Sequence, residues 1–122
     1  MNEIILITGP ITLNKLKEIA GQRFGDMVKG VVDIEKNIIA LGGDLHADEE
    51  AVLLQKGSNQ ENLWGVNLYP DMKFPDMVEF DSMINIRPRQ NNRSRGVENE
   101  ALQKQVLEVI KKLVQWIVST KI

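Results

Sequence analysis

The chain contains no cysteine. Disulfides, iron–sulfur clusters, thiolate zinc sites and a cysteine nucleophile are therefore excluded, and a reducing compartment is compatible with the composition. Histidine occurs once, at His46, whereas most mononuclear catalytic metal sites use more than one imidazole. Long apolar runs are also missing. The N-terminal one stops at Ile7, before Thr8-Gly9-Pro10, and Glu3 stands where a signal peptide would carry Lys or Arg. That run is too short for a leader or a membrane span, so a cytoplasmic protein without membrane association is expected. Excess positive charge is absent too. A net charge of −2 argues against a protein that coats nucleic acid through its overall field, so any anion binding must be local. There is no Gly-rich phosphate loop, no G-x-S-x-G and no H-E-x-x-H, hence no familiar catalytic template.

What is present is an ordinary globular composition, 43% hydrophobic and 26% charged over 122 residues, enough for one self-sufficient core. No repeat, low-complexity segment or linker interrupts it, and residues 1–122 are expected to form a single α+β domain. Residues 4–7 read as a buried strand ended by Gly9-Pro10. Thr12 reads as the cap of a helix carrying Leu13, Leu16, Ile19, Ala20 and Phe24 at helical spacing, with Gly25 closing it. Residues 27–34 and 38–42 flank Glu35-Lys36-Asn37 as a β-hairpin. A short helix is predicted over 49–56 with Asp48 as its cap, and a strand over 63–69 with Trp64, Val66 and Leu68 on its apolar face. After a Pro-bounded loop at 70–75, the alternation of Val78, Phe80, Ile84 and Ile86 predicts one long strand over 77–87, in a sheet covered on one side only. The last helix is predicted over 98–120, with an apolar arc of roughly 200° at 100° per residue. That arc is wide enough to call for a second helix or a second subunit, and Trp116 lies on it. The expected fold is a single, mainly antiparallel sheet of about five strands with three helices, the long C-terminal helix packed on its apolar face.

Two segments carry candidate chemistry. In the first, 42–50, His46, Asp48 and Glu50 alternate, so an extended backbone would point all three one way. An imidazole with two carboxylates suits a metal ion or acid–base work. The competing reading makes Asp48 a helix cap and Glu49 and Glu50 complements to the helix dipole. The second segment, 85–95, holds four arginines and four side-chain amides, an array of donors matched to phosphate and carboxylate oxygens; its plainer reading is a solvated loop. Arg87 stands apart because the predicted strand would hold it, beside Asn85. Pairing the strand over 63–69 with that over 77–87 would bring Asn67, Tyr69, Asn85 and Arg87 onto one polar surface, with Lys29 and Asp33 joining if the hairpin shares the sheet. Trp64 belongs to the opposite, apolar face.

Four motifs occur in order: Gly-Gly-Asp-Leu-His-Ala-Asp at 42–48, Gly-Ser-Asn-Gln at 57–60, Leu-Trp-Gly-Val-Asn-Leu-Tyr-Pro at 63–70 and Ile-Asn-Ile-Arg-Pro-x-Gln-x-Asn-Arg-Ser at 84–94. Together the chain resembles a family of small uncharacterised bacterial and archaeal proteins, a domain of unknown function, in which Glu often stands at the place of Asp44. The resemblance implies no activity. It does imply that His46, Asp48, Asn67, Tyr69, Asn85, Arg87, Gln90, Asn92 and Arg93 belong to the family's signature.

The leading functional expectation is a binding or catalytic domain for a phosphate-bearing anionic ligand, RNA or nucleotide. Arg87, Arg93 and Arg89 would hold the anion, and Asn67, Asn85, Gln90 and Asn92 would orient it. His46 and Tyr69 would transfer protons in a metal-independent phosphodiester cleavage that needs no cofactor. Two alternatives come from other classes. One is a homo-oligomeric interaction protein, dimeric through the C-terminal helix; the other is a metalloprotein using His46, Asp48 and Glu50.

Overall fold

Residues 3–115 are described by the structure, a computed structural model. The elements in chain order are β1 (Ile5–Ile7), β2 (Ile11–Thr12), α1 (Leu13–Gln22), β3 (Val28–Asp33), β4 (Ile38–Leu41), α2 (His46–Gln55), β5 (Leu63–Leu68), β6 (Val78–Glu79), α3 (Glu100–Leu113) and β7 (Val114–Gln115). The five-stranded sheet has the order β1-β4-β3-β5-β6, every pair antiparallel, and β2 pairs with β7 in a separate parallel ribbon. Among the described residues no helix is long and apolar enough to cross a membrane.

Local chemistry accounts for the elements that the sequence announces. Thr12 Oγ1 accepts the Lys15 amide at 3.0 Å and starts α1. Gly25, at φ +97°, sends its N–H back to the Ala20 carbonyl at 2.8 Å and ends the turn after α1 in a conformation that favours glycine. Between β3 and β4 the Asp33 carboxylate accepts the Glu35 and Lys36 amides, and it also accepts the Ser58 hydroxyl at 2.6 Å. Asp33 therefore builds the hairpin turn and ties it to the end of α2; it takes no part in a polar surface.

The sheet is covered on both faces, contrary to the one-sided expectation. Val28, Val32, Ile39, Leu41, Trp64, Val66 and Leu68 pack against Leu16, Ile19 and Ala20 of α1 and Val106, Val109, Ile110 and Leu113 of α3. On the other face Val31, Ala40 and Leu63 form a smaller cluster with Leu53 of α2, and Ile84 packs on it. All six residues of β5 are buried. Its second face carries Gly65 and Asn67, so hydrophobic alternation cannot reveal that it is covered. Phe24, predicted as part of the α1 stripe, is exposed and lies beside Lys29, whose ammonium is 5.6 Å from its ring centroid.

Three predicted boundaries need correction. The strand over 77–87 exists only as β6, which pairs with Asn67 and Leu68. Beyond it the chain crosses onto the face of β5: a Cβ at Gly65 would lie 2.6 Å from the Cβ of Ser82. Ser82 then caps a 3-10 turn, Met83–Asn85, and a second one follows at Pro88–Gln90. The second helix starts at His46 with Leu45 in the cap position and no side-chain capping bond, so Asp48 lies inside its first turn and is not the cap. The last helix is capped by Asn99 and ends at Leu113, where the chain turns extended into β7. Its described apolar positions, Leu102, Val106, Leu107, Val109, Ile110 and Leu113, all pack on the main core. Trp116, Ile117 and Val118, which widened the predicted arc, lie outside the described residues.

Candidate functional site

The arginine- and amide-rich segment is mostly committed to the backbone. β6 covers only part of the outer edge of β5, and side chains supply the bonds that a longer strand would have made. Asn85, fully buried, accepts the Gly65 N–H at 2.8 Å, donates to the Gly65 carbonyl at 3.0 Å and donates to the Arg95 carbonyl at 2.9 Å. Its amide thus imitates a strand neighbour. Arg87 donates to the carbonyls of Gln60 and Leu63, and its guanidinium stacks 4.0 Å from the Trp64 ring centroid. Gln90 donates to the Glu61 carbonyl at 3.0 Å. Asn92 donates to the carbonyls of Asn85 and Gly96, both at 2.7 Å, and accepts the Glu98 amide at 2.9 Å. Asn85 and Asn92 fold the segment back on itself, and Arg87 and Gln90 tie it to residues 60–63; Arg87, Arg89 and Gln90 together line an open pocket of about 300 Å³, while Arg93 stands exposed outside it.

A different set converges. Lys29 from β3, His46 from the first turn of α2, Asn67 from β5 and Arg95 line one pocket of about 180 Å³, with Asp81, Ser82 and Ile84 completing its wall and Leu45 and Met83 exposed at its rim. Arg95 is held there by Asp81, Nε to Oδ1 at 2.6 Å. His46 is 7% exposed, and its Nε2 lies 2.8 Å from the Val66 carbonyl oxygen. A carbonyl only accepts, so Nε2 carries the ring hydrogen. Burial holds the imidazole below its ordinary pKa of 6.5, against the opposing bond to Val66; Lys29 pushes it further down, and Asp81 and Asn67 push it up. At neutral pH the ring is therefore uncharged, held between the Val66 carbonyl and the Asn67 side chain, which also bonds to it. Asn67, 6% exposed, donates to Glu79 Oε1 at 2.9 Å and to the Asp81 carbonyl at 3.3 Å, and its buried Oδ1 has only the His46 ring to face. Lys29 makes no salt bridge among the described residues.

Of the residues predicted from sequence, His46 and Asn67 meet in this pocket and Asn85, Arg87, Gln90, Asn92 and Arg93 do not line it. Tyr69 does not line it either. Its hydroxyl donates to Glu79 at 3.1 Å, and desolvation together with that carboxylate raises its pKa above the usual tyrosine value. It touches the pocket only at one remove, through the Glu79 oxygen that Asn67 also uses. Helical backbone at 46–50 abolishes the alternation that would have aligned His46, Asp48 and Glu50: His46 is buried, Asp48 is exposed and Glu50 accepts a 3.4 Å bond from Gln60. Among the described residues no three His, Asp or Glu side chains group as metal ligands.

Sequence reasoning missed one residue outright. Glu49, read as a dipole complement, is fully buried one turn below His46. Its Oε2 accepts the Gly43 amide at 2.8 Å and its Oε1 has no partner. Burial raises its pKa to about 9, Gly43 and Lys29 opposing, so the carboxyl is protonated at neutral pH. The signal was there in the spacing. His46, Glu49 and Leu53, the three buried residues of α2, fall at helical intervals of three and four.

No curated protein and no solved structure matches the chain. A family model does match residues 5–113, nearly the whole of it, under the description protein of unknown function. With an α+β sheet whose free edge is closed by Asn85 and Arg87, and a polar pocket built beside it, this chain belongs to the family of proteins of unknown function DUF5674.

Proposed function

We propose that the protein binds a small phosphate-bearing anion in the pocket of Lys29, His46, Asn67 and Arg95. The observation that carries this reading is the convergence, from three separate elements, of a cation without a carboxylate partner on a neutral buried imidazole and a buried amide. Such groups are costly to hold together without a ligand, and convergent polar groups in a concavity are the usual mark of a binding site. Lys29 supplies the counter-charge; Arg95, already paired with Asp81, supplies further donors at the wall. The small volume favours a single phosphate group with a few attached atoms over a run of RNA.

Binding is favoured over phosphodiester cleavage. Cleavage by proton transfer needs a base and an acid on the reacting group. His46 qualifies as a base, but Tyr69 is outside the pocket and bonded to Glu79. The reading predicts that Lys29→Gln weakens the binding of a phosphate monoester such as ribose 5-phosphate about tenfold or more at low salt, while leaving the unfolding midpoint nearly unchanged, because Lys29 has no salt bridge to lose, only its contact with the exposed Phe24 ring. Titration calorimetry with parallel thermal melts checks this. Equal affinity in wild type and variant overturns the reading.

A further inference from the structure

We infer that the ligand of this pocket carries a nucleobase beyond its phosphate, resting on Leu45 and Met83 at the rim, so that the site selects nucleoside monophosphates over sugar phosphates. The inference rests on the anion-binding reading and names the class of ligand. It starts from exposure. Met83, at 65%, and Leu45, at 58%, are the two most exposed large hydrophobic side chains among the described residues, and both line this one pocket. They reach it from segments far apart in sequence, Leu45 from the position before α2 and Met83 from the 3-10 turn after β6. A single exposed apolar side chain calls for no explanation; two that converge on one polar cavity mark a surface that is covered in use.

The local chemistry at Leu45 supports this. It holds the cap position of α2, where Ser, Thr, Asp or Asn would add a bond to the first turn, and it makes none. Leucine there gives up the cap without gaining burial, a local rule broken beside the candidate site. Size points the same way. A cavity of about 180 Å³ takes a phosphate group and a few attached atoms, so the rest of a larger ligand lies across the rim. Leu45, Met83 and the exposed Ala47 make that rim apolar, and a methionine thioether packs well against aromatic rings. Sugar hydroxyls gain nothing from such a surface, whereas a heterocyclic base buries apolar area against it. Roughly 55 Å² of apolar area so buried is worth a tenfold gain in affinity.

The test compares adenosine 5′-monophosphate with ribose 5-phosphate by titration calorimetry on the intact chain at pH 8, where both phosphates are dianions. The two ligands share the sugar and the phosphate and differ in the base. The inference predicts that the nucleotide binds about tenfold more tightly or better, and that combining Leu45→Ser with Met83→Ser narrows the ratio of the two affinities to about threefold or less. Both positions are exposed and serine suits the cap of α2, so the double variant is expected to fold. Equal affinities of the two ligands on the unaltered protein, each weakened by Lys29→Gln, overturn the inference and leave the anion reading standing. A preference that survives intact in the double variant also overturns it, because the base then rests elsewhere. Binding of neither ligand overturns both readings.

Discussion

Replacing Asn85 by alanine is expected to destabilise the protein by about 3–5 kcal/mol, a large share of a typical domain's stability. The side chain is fully buried and makes three hydrogen bonds, two of them to the N–H and C=O of Gly65. Alanine removes the partner and leaves both backbone groups stranded under Ser82, where water has little room; each orphaned buried group costs about 1–3 kcal/mol. Asn85→Asp is expected to be comparably damaging. It keeps the acceptor for the Gly65 amide but turns a charged oxygen toward the Gly65 and Arg95 carbonyls that the amide now serves. Urea unfolding with an unchanged slope measures the loss. A cost below about 1 kcal/mol for Asn85→Ala contradicts the assignment of this side chain as a substitute strand.

Glu49→Gln is expected to stabilise, and increasingly so as pH rises. The folded carboxyl, with its pKa near 9, stays protonated over a range where the unfolded chain ionises from about 4.5 upward. Between those values the folded state binds the extra proton, so stability is fully present below 4.5 and is lost as pH climbs toward 9, reaching a cost of about 3 kcal/mol at pH 7. Glutamine has nothing to ionise in the unfolded state, and its carbonyl oxygen can keep the 2.8 Å bond from Gly43. The expected result is a melting temperature several degrees higher at pH 8 and a flattened profile from pH 5 to 8. His46 tilts the acid side the opposite way. Its folded pKa is depressed, so stability falls as pH drops below 6.5 and the unfolded imidazole takes up a proton that the folded one refuses. A Glu49→Gln variant that is less stable than wild type at pH 8 and keeps the wild-type slope would contradict a neutral buried carboxyl.

Local signals in the sequence were reliable where the chain satisfies itself locally. Thr12 and Gly25 bracketed α1, Glu35-Lys36-Asn37 marked the hairpin, and the fold class followed from the elements they separate. The failure at 77–87 has a physical cause. Val78 is buried and Phe80 half-buried against the main core, and Ile84 is half-buried against the smaller cluster on the other face, while Ile86 is exposed. The same alternation arises from a continuous strand and from a chain that leaves one, because the period records burial and not its partner. The candidate site was legible in the same partial way. His46 and Asn67 could be named from their chemistry, but whether a guanidinium faces a ligand or a neighbouring carbonyl is decided by tertiary structure, and Arg87 and Asn85 went to carbonyls. The spacing of His46, Glu49 and Leu53 marked Glu49 as inward-facing, but the room for its carboxyl comes from Gly43, where a Cβ would stand 2.9 Å from the glutamate Cγ.

The central claim is a division of labour, with ligand contacts at Lys29, His46 and Asn67 and structural contacts at Asn85, Arg87 and Asn92. The measurement that tests it most directly is the map of amide and side-chain chemical-shift changes on titrating the labelled protein with glycerol 3-phosphate at pH 8. The account predicts the largest changes at Lys29, His46, Asn67 and Ser82, with the His46 imidazole nitrogens among them. Changes centred instead on Arg87, Arg89 and Arg93, with Lys29 and His46 unmoved, would contradict it.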